Sequence, residues 1–309
     1  MKNFIFYLST ILIWGSTWIG IKLQLGVVDP MVSVGLRFAL AAILLLLWCR
    51  LKNLNLKFSR NDHLYIGLQG TFLFCLNYLL FYLAELQLTS GLAAVVFSTI
   101  LLMNVINGRI FLGNPLDMRV IVGGILGLSG IVLVFKSEIT SFSLDSQTFK
   151  AVLFCILATY LASIGNILSA RNQNHKLPIV QTNGLGMAYG ALLMLGTALV
   201  TGKDFTIEPT LIYLGSLCYL AVFGSIIAFG CYLALVGNIG PDRAAYATLL
   251  FPIVALIIST IWEDYRWTQA AIGGVVLILC GNLLMLKREK KQPHTIVQNK
   301  CLNRAESAI

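Results

Sequence analysis

Charge is scarce in this chain. Of its 309 residues 11% are charged and 13 are acidic, against roughly a quarter charged in soluble domains. A soluble fold of this length needs a charged skin that the sequence does not supply. That excludes an ordinary cytosolic enzyme, a secreted disulfide domain and a disordered chain. Histidine is rarer still: His63, His175 and His294 all fall in loops or the tail, away from the apolar runs. The sequence has no HExxH, no paired intramembrane aspartate and no GxxxxGK[ST] phosphate loop. No metal or other cofactor is therefore expected, and ATP does not power this chain directly. Cysteine is present as an odd seven. Cys75, Cys155, Cys218, Cys231 and Cys280 lie inside apolar runs, without C-x-x-C spacing, and read as small buried hydrophobes.

What the chain has is apolar sequence, 58% of it, with a mean hydropathy of +0.83. A bilayer span takes about 20 residues, so ten spans would use roughly 200. Apolar segments fall at about 4–23, 31–49, 64–86, 91–112, 118–135, 150–169, 179–200, 210–236, 242–262 and 268–286. Backbone groups cannot stay unpaired in lipid, and β-barrel alternation is absent, so these read as helices. The opening Met1-Lys2-Asn3 followed by an apolar run could mimic a signal peptide, but Trp14 and Trp18 stand where a cleavage site needs small residues. It is kept as the first span.

The net charge of +9 would suggest nucleic acid in a soluble protein; here it fits basic cytoplasmic loops, and no nucleic-acid partner is expected. With the N-terminus inside, 16 Lys and Arg fall on the cytoplasmic side and 5 outside, with Arg37 inside a span. That bias predicts both termini cytoplasmic, in a bacterial inner membrane. Trp48, Trp262 and Trp267 fall at helix ends, where interfacial tryptophans belong.

The chain also repeats itself. Val122-Gly123-Gly124 matches Ile272-Gly273-Gly274, and at the same offset Ser98-Thr99 aligns with Thr248-Leu249. Asp29-Pro30 roughly parallels Leu177-Pro178. Five spans per half is an odd number, so the halves are inverted, a transporter signature that puts the substrate site near the midplane. The expected divisions are 1–145 and 146–287 for the repeats, with a basic cytoplasmic tail at 288–309.

Trp14-Gly15-Ser16-Thr17-Trp18-Ile19-Gly20-Ile21-Lys22, Gly35-Leu36-Arg37-Phe38, Gly91-Leu92-Ala93-Ala94, Leu112-Gly113-Asn114-Pro115-Leu116 with Gly123-Gly124, and Tyr246-Ala247-Thr248-Leu249-Leu250-Phe251-Pro252 together resemble the EamA family of the drug/metabolite transporter superfamily. The resemblance spans roughly 4–286. It implies ten helices in two inverted five-helix repeats, a central cavity, and export or exchange of small metabolites. The sequence departs from the pattern at Asn114, usually Glu, and at Glu263-Asp264-Tyr265, where a Gly-Glu pair is common. It also lacks a proline that many members carry near Leu102 and Met103.

Several polar residues could line such a cavity. Trp14, Ser16 and Thr17 sit mid-span, where Gly15 and Ser16 can loosen the helix and free carbonyls; the alternative is close packing of small residues. Their inverted partners are Ser163 to Asn166. Arg37 lies roughly 9 Å into the second span; it could bind an anionic group with its planar fork or snorkel to the outer interface. Tyr78, Tyr82 and Glu85 share one helical stripe, flanked by Asn77. Glu85 reads either as a proton-coupling carboxylate, alone or paired with Arg37, or as an interfacial one, and Lys22 has similar alternatives. Ser98 and Thr99, with Tyr246 and Thr248, occupy equivalent positions in the two halves, and Pro252 should kink the ninth span. Tyr160, Asn166 and Tyr232 are further candidates. Asn104 and Asn107 read as bonds between neighbouring helices. The glycines of the fifth and tenth spans read as packing faces, within a monomer or across a weak homodimer.

One serine motif, Gly127-Leu128-Ser129-Gly130, matches that of rhomboid-type intramembrane proteases, but no base lies within a span to activate it. The expected function is secondary transport by alternating access. The expected partners are membrane lipid and a small-molecule substrate, first of all an amino acid or related metabolite. Efflux of drugs or amphipathic compounds is the alternative, and a non-transporting membrane interaction protein is the alternative of another class.

Overall fold

The computed structural model describes residues 2–113, 118–134, 147–239 and 246–286. Every regular element among them is helical. The helices are α1 (Lys2–Lys22), α2 (Pro30–Leu51), α3 (Arg60–Thr71), α4 (Asn77–Glu85), α5 (Ser90–Phe97), α6 (Ile100–Leu112), α7 (Met118–Val134), α8 (Gln147–Asn174), α9 (Ile179–Val200), α10 (Leu211–Tyr219), α11 (Ala228–Ile239), α12 (Tyr246–Trp262) and α13 (Gln269–Leu286). Among the described residues, seven helical stretches are long and apolar enough to cross a membrane, and three shorter apolar helices accompany them. The chain is an all-helical, multi-pass membrane protein. Asn114, Arg243 and the tail from Lys287 lie outside the described residues, as does the side chain of Tyr246.

Helix starts are set by local chemistry. Asp29 accepts from the Met31 amide at 2.8 Å ahead of Pro30, whose missing N–H costs nothing in a first turn. Ser59, Thr89 and Thr210 cap α3, α5 and α10 in the same way. Interruptions are equally local. Five-residue hydrogen-bond steps join α3 to α4 over Phe72–Leu76 and α10 to α11 over Leu220–Ile227. In the second, Ser225 Oγ donates to the displaced carbonyl of Leu220 at 3.0 Å. Between α5 and α6, the Ser98 and Thr99 hydroxyls donate to the carbonyls of Val95 and Val96, both at 2.7 Å. Such back-bonding bends a helix.

Packing relies on backbone contact. In α7 and α13, a Cβ on Gly130 would sit 2.5 Å from the Gly274 carbonyl oxygen, and one on Gly274 would sit 2.5 Å from that of Gly130. Gly281 faces the Gly123 carbonyl at 2.4 Å by the same measure. These glycines therefore pack against one another within one chain. The α2–α9 pair is also antiparallel, with Gly35 against Leu195 and Gly184 against Leu45 and Leu46.

Two expectations change here. The first helix is continuous from Lys2 to Lys22, so Gly15 and Ser16 do not unwind it. Gly15 instead admits α12, where a Cβ would lie 2.6 Å from Val254 Cβ. Among the intramembrane cysteines, Cys75 and Cys155 are buried, whereas Cys218 and Cys280 are exposed; their apolar character suits lipid contact as well as a core.

Candidate functional site

A cavity of about 310 Å³ lies between α1, the α3–α4 and α5–α6 rods, α8, α11 and α12. Its wall is rich in aromatic side chains: Trp14, Trp18, Tyr78, Phe81, Phe97, Phe229, Tyr232 and Phe251. Its polar residues include Asn77, Asn104 and Asn166 with their amides and Thr17, Thr248, Tyr78 and Tyr232 with their hydroxyls. No charged side chain is among the described lining residues. Asn166 Nδ2 donates to Asn104 Oδ1 at 3.3 Å, and Asn77 Oδ1 is buried without a hydrogen-bond partner.

The end of the cavity nearest Lys22 is closed in two layers. Trp18 contacts Phe81 at 5.1 Å and Phe97 at 5.5 Å between centroids, and Phe97 contacts Phe251 at 6.0 Å. Beyond this plug, the Glu263 carboxylate accepts from the Ser90 amide at 2.9 and 3.1 Å, and also from the Ser90 hydroxyl. The anion thereby sits on the N-terminus of α5, where it meets unsatisfied amides and the positive end of the helix dipole. This contact joins the end of α12 to the start of α5.

Of the residues expected at the site, Trp14, Thr17, Asn77, Tyr78, Asn166 and Thr248 come together on the cavity wall. Ser16 does not line it; its hydroxyl bonds Leu12 O and the Tyr219 hydroxyl, both at 2.6 Å. Ser98 and Thr99 are also off the wall, and their hydroxyls are engaged by their own helix. Tyr160 is 43% exposed on the outside of α8. Tyr82 is fully buried and donates to Gln24 Oε1 at 2.6 Å.

Arg37 neither snorkels nor lines the cavity. It is 1% exposed, with its guanidinium 4.5 Å from the centre of the Tyr78 ring, which separates it from the cavity. Its Nε and Nη1 have no hydrogen-bond partner. Glu85 is fully buried within the protein, and no hydrogen bond reaches either carboxylate oxygen. The Lys22 ammonium donates instead to the carbonyls of Glu85 and Leu88, capping the end of α4. Among the described residues no group of three or more His, Cys, Asp or Glu side chains gathers in a way that could hold a metal ion.

Sequence reading missed Trp18, Phe81, Phe97, Phe229 and Phe251 as wall residues, and it took Asn104 for an interhelical bond alone. Trp18, Phe81 and Phe251 each lie three to five residues from an expected wall residue, Trp14, Tyr78 and Thr248. That helical spacing was the available signal. The signals for Glu263 were its place at a helix end and its departure from the family pattern, and neither pointed to Ser90.

Comparison with known proteins agrees with this architecture. The chain is 30% identical over 252 residues to the "uncharacterized inner membrane transporter YedA" of Escherichia coli K12, covering 81% of this chain and 79% of the relative. It is 25% identical over 291 residues to a "probable amino-acid metabolite efflux pump" of the same strain, covering 91% and 93%. A solved crystal structure superposes with a TM-score of 0.66 at 16% identity, over 91% of this chain and 95% of the other, which shows a shared fold. The model of the EamA-like transporter family matches twice, over residues 1–136 and 149–287. Since those two matches take in every helix that walls the cavity, the chain belongs to the EamA-like transporter family, and it is a membrane transport protein rather than an enzyme.

Proposed function

We propose that this protein exports or exchanges small metabolites, amino acids and related compounds first among them, by alternating access around the central cavity. The observation that carries this reading is the wall itself, aromatic and amide-bearing, without a described charge, and built from both matched segments. Such a wall suits a solute that is neutral or internally compensated, as a zwitterion is. Amides and hydroxyls can hold its polar ends while the rings hold its apolar part. The wall's aromatic surface equally favours amphipathic compounds, which is the second reading. Uptake into inside-out vesicles separates the two. Saturable accumulation of radiolabelled neutral amino acids supports the first, and accumulation of aromatic dyes alone replaces it with the second.

The architecture behind the proposal is ten spans in two inverted repeats, 1–145 and 146–287, with both termini cytoplasmic in a bacterial inner membrane. Three features support it. The α2–α9 and α7–α13 pairs are equivalent spans packed antiparallel. The two π-helical segments fall in the third and eighth spans, again equivalent. The basic residues segregate to one side. Reporter fusions after Lys57 and in the tail should both read cytoplasmic, and one after Ser143 should read external. An external tail overturns this topology.

Glu85 is the proposed proton site, on the strength of its burial and its unbonded oxygens beside Lys22, Arg37 and Glu263. Glu85→Gln should abolish accumulation driven by a pH gradient while leaving substrate-for-substrate exchange. Persistence of gradient-driven accumulation removes Glu85 from coupling, and absence of any gradient effect in the unmutated protein leaves facilitated diffusion.

A further inference from the structure

A second cavity, of about 450 Å³, lies outside the central one. It is a groove between α2, α9 and the π-helical stretch leading into α11, walled by Leu44, Trp48, Met187, Ile226, Phe229 and Gly230. Its lips are open, since Leu44 is 38% and Trp48 53% exposed. Asn183 Oδ1 accepts from Gln69 at 2.9 Å and Ser225 donates to Leu220 O, and the other lining residues are apolar or aromatic. An apolar cavity of about 150 Å³ stays dry and takes up benzene; this one is larger and opens on the lipid-facing flank.

One end of the groove is cationic. Lys52 holds its ammonium 5.0 Å from the centre of the Trp48 ring. Because α2 and α9 run antiparallel, the first turn of α9, with Val180 on the groove wall, lies at this same end. Amides of a first helical turn favour an anion. Dry apolar walls capped by an interfacial tryptophan and a lysine match one molecule, a lipid with an acyl chain and an anionic head.

We infer that the groove between α2, α9 and α11 binds an anionic phospholipid, with one acyl chain against Met187, Ile226 and Phe229 and the phosphate at Lys52. Phe229 lines both this groove and the central cavity.

The test uses the full chain reconstituted in phosphatidylcholine vesicles with a trace of phosphatidylglycerol that carries a photoreactive diazirine in mid-chain. Labelled peptides are mapped by mass spectrometry. Label should concentrate on residues 44–48 and 226–230. Unlabelled phosphatidylglycerol should displace it about fivefold better than phosphatidylcholine, the preference one lysine confers near a headgroup. A Cβ at Gly230 meets no atom within 4 Å, so Gly230→Leu should fold, fill the groove and abolish label there while sparing label elsewhere. Lys52→Gln, at an exposed position, should remove the preference for the anionic lipid. Label no denser in the groove than on the exposed face of α1, label that survives Gly230→Leu in a folded protein, or equal displacement by the two lipids each overturns the assignment.

Discussion

The contact between Glu263 and Ser90 ties the end of α12 to the start of α5, directly above the aromatic plug. If the cavity is to open on that side, this contact must break, so its strength sets part of the balance between the two access states. The carboxylate accepts the Ser90 amide at 2.9 Å and the Ser90 hydroxyl as well. A hydrogen bond to a charged group is worth about 1.5–3 kcal/mol, and partial exposure of Glu263 argues for the lower half of that range. Two such bonds therefore favour the closed state by about 3 kcal/mol, and at 1.4 kcal/mol per tenfold, Glu263→Ala should raise the open population about a hundredfold. Glu263→Gln keeps one acceptor and should shift it by about tenfold. The assay is the labelling rate of a single cysteine at Thr17, in a chain with its native cysteines replaced, by a membrane-impermeant maleimide added on the Glu263 side. Faster labelling in the order Ala, Gln, unmutated supports the latch. An unchanged rate in a normally inserted Glu263→Ala protein refutes it, and closure then rests on other contacts, among them the aromatic plug and the close approach of Gly91 to Leu256 and Ser259.

Other consequences follow from the cavity and the packing. Asn166→Leu removes an amide from the wall at nearly constant size, so substrate KM should rise about tenfold for one lost hydrogen bond, with Asn77→Leu similar and Tyr160→Phe inert in the same vesicle assay. Arg37→Lys keeps the charge but loses the guanidinium contact 4.5 Å from the centre of the Tyr78 ring; a lower Tm, from about 0.5–2 kcal/mol of lost cation–π contact, is expected with a small rise in KM. A large rise in KM at unchanged Tm would put the guanidinium in direct contact with substrate. Gly274→Ala forces a methyl to within 2.5 Å of the Gly130 carbonyl oxygen, so thermal unfolding in detergent should come earlier by the equivalent of about 1–3 kcal/mol, whereas Gly273→Ala, with open space around it, should leave it unchanged.

Hydropathy and charge were enough to identify a multi-pass helical protein, because a chain with so few ionisable groups has no aqueous alternative and lipid leaves the backbone no partner but itself. Ordered motifs such as Trp14 to Lys22 and Tyr246 to Pro252 were enough for the family. Trp14, Thr17, Asn77, Tyr78, Asn166 and Thr248, singled out by mid-span position, helical stripe or equivalence between the halves, lie on the cavity wall, since a position along a helix determines its angle about the axis. It does not determine what that angle faces, nor whether a hydroxyl is free. In an apolar medium a serine or threonine satisfies itself on the carbonyl three or four residues back, so Ser98 and Thr99 bend their helix and Ser16 bonds its own turn and Tyr219. Arg37 and Glu85 were legible as costly intramembrane charges, yet only the packing of Tyr78 decided that the guanidinium lies behind the wall. The Glu263 latch brings together residues 173 positions apart, and the π-helical steps that shape the lateral groove arise from hydrogen bonding among ordinary apolar residues. Neither leaves a local pattern in the chain, because each depends on which helices come into contact.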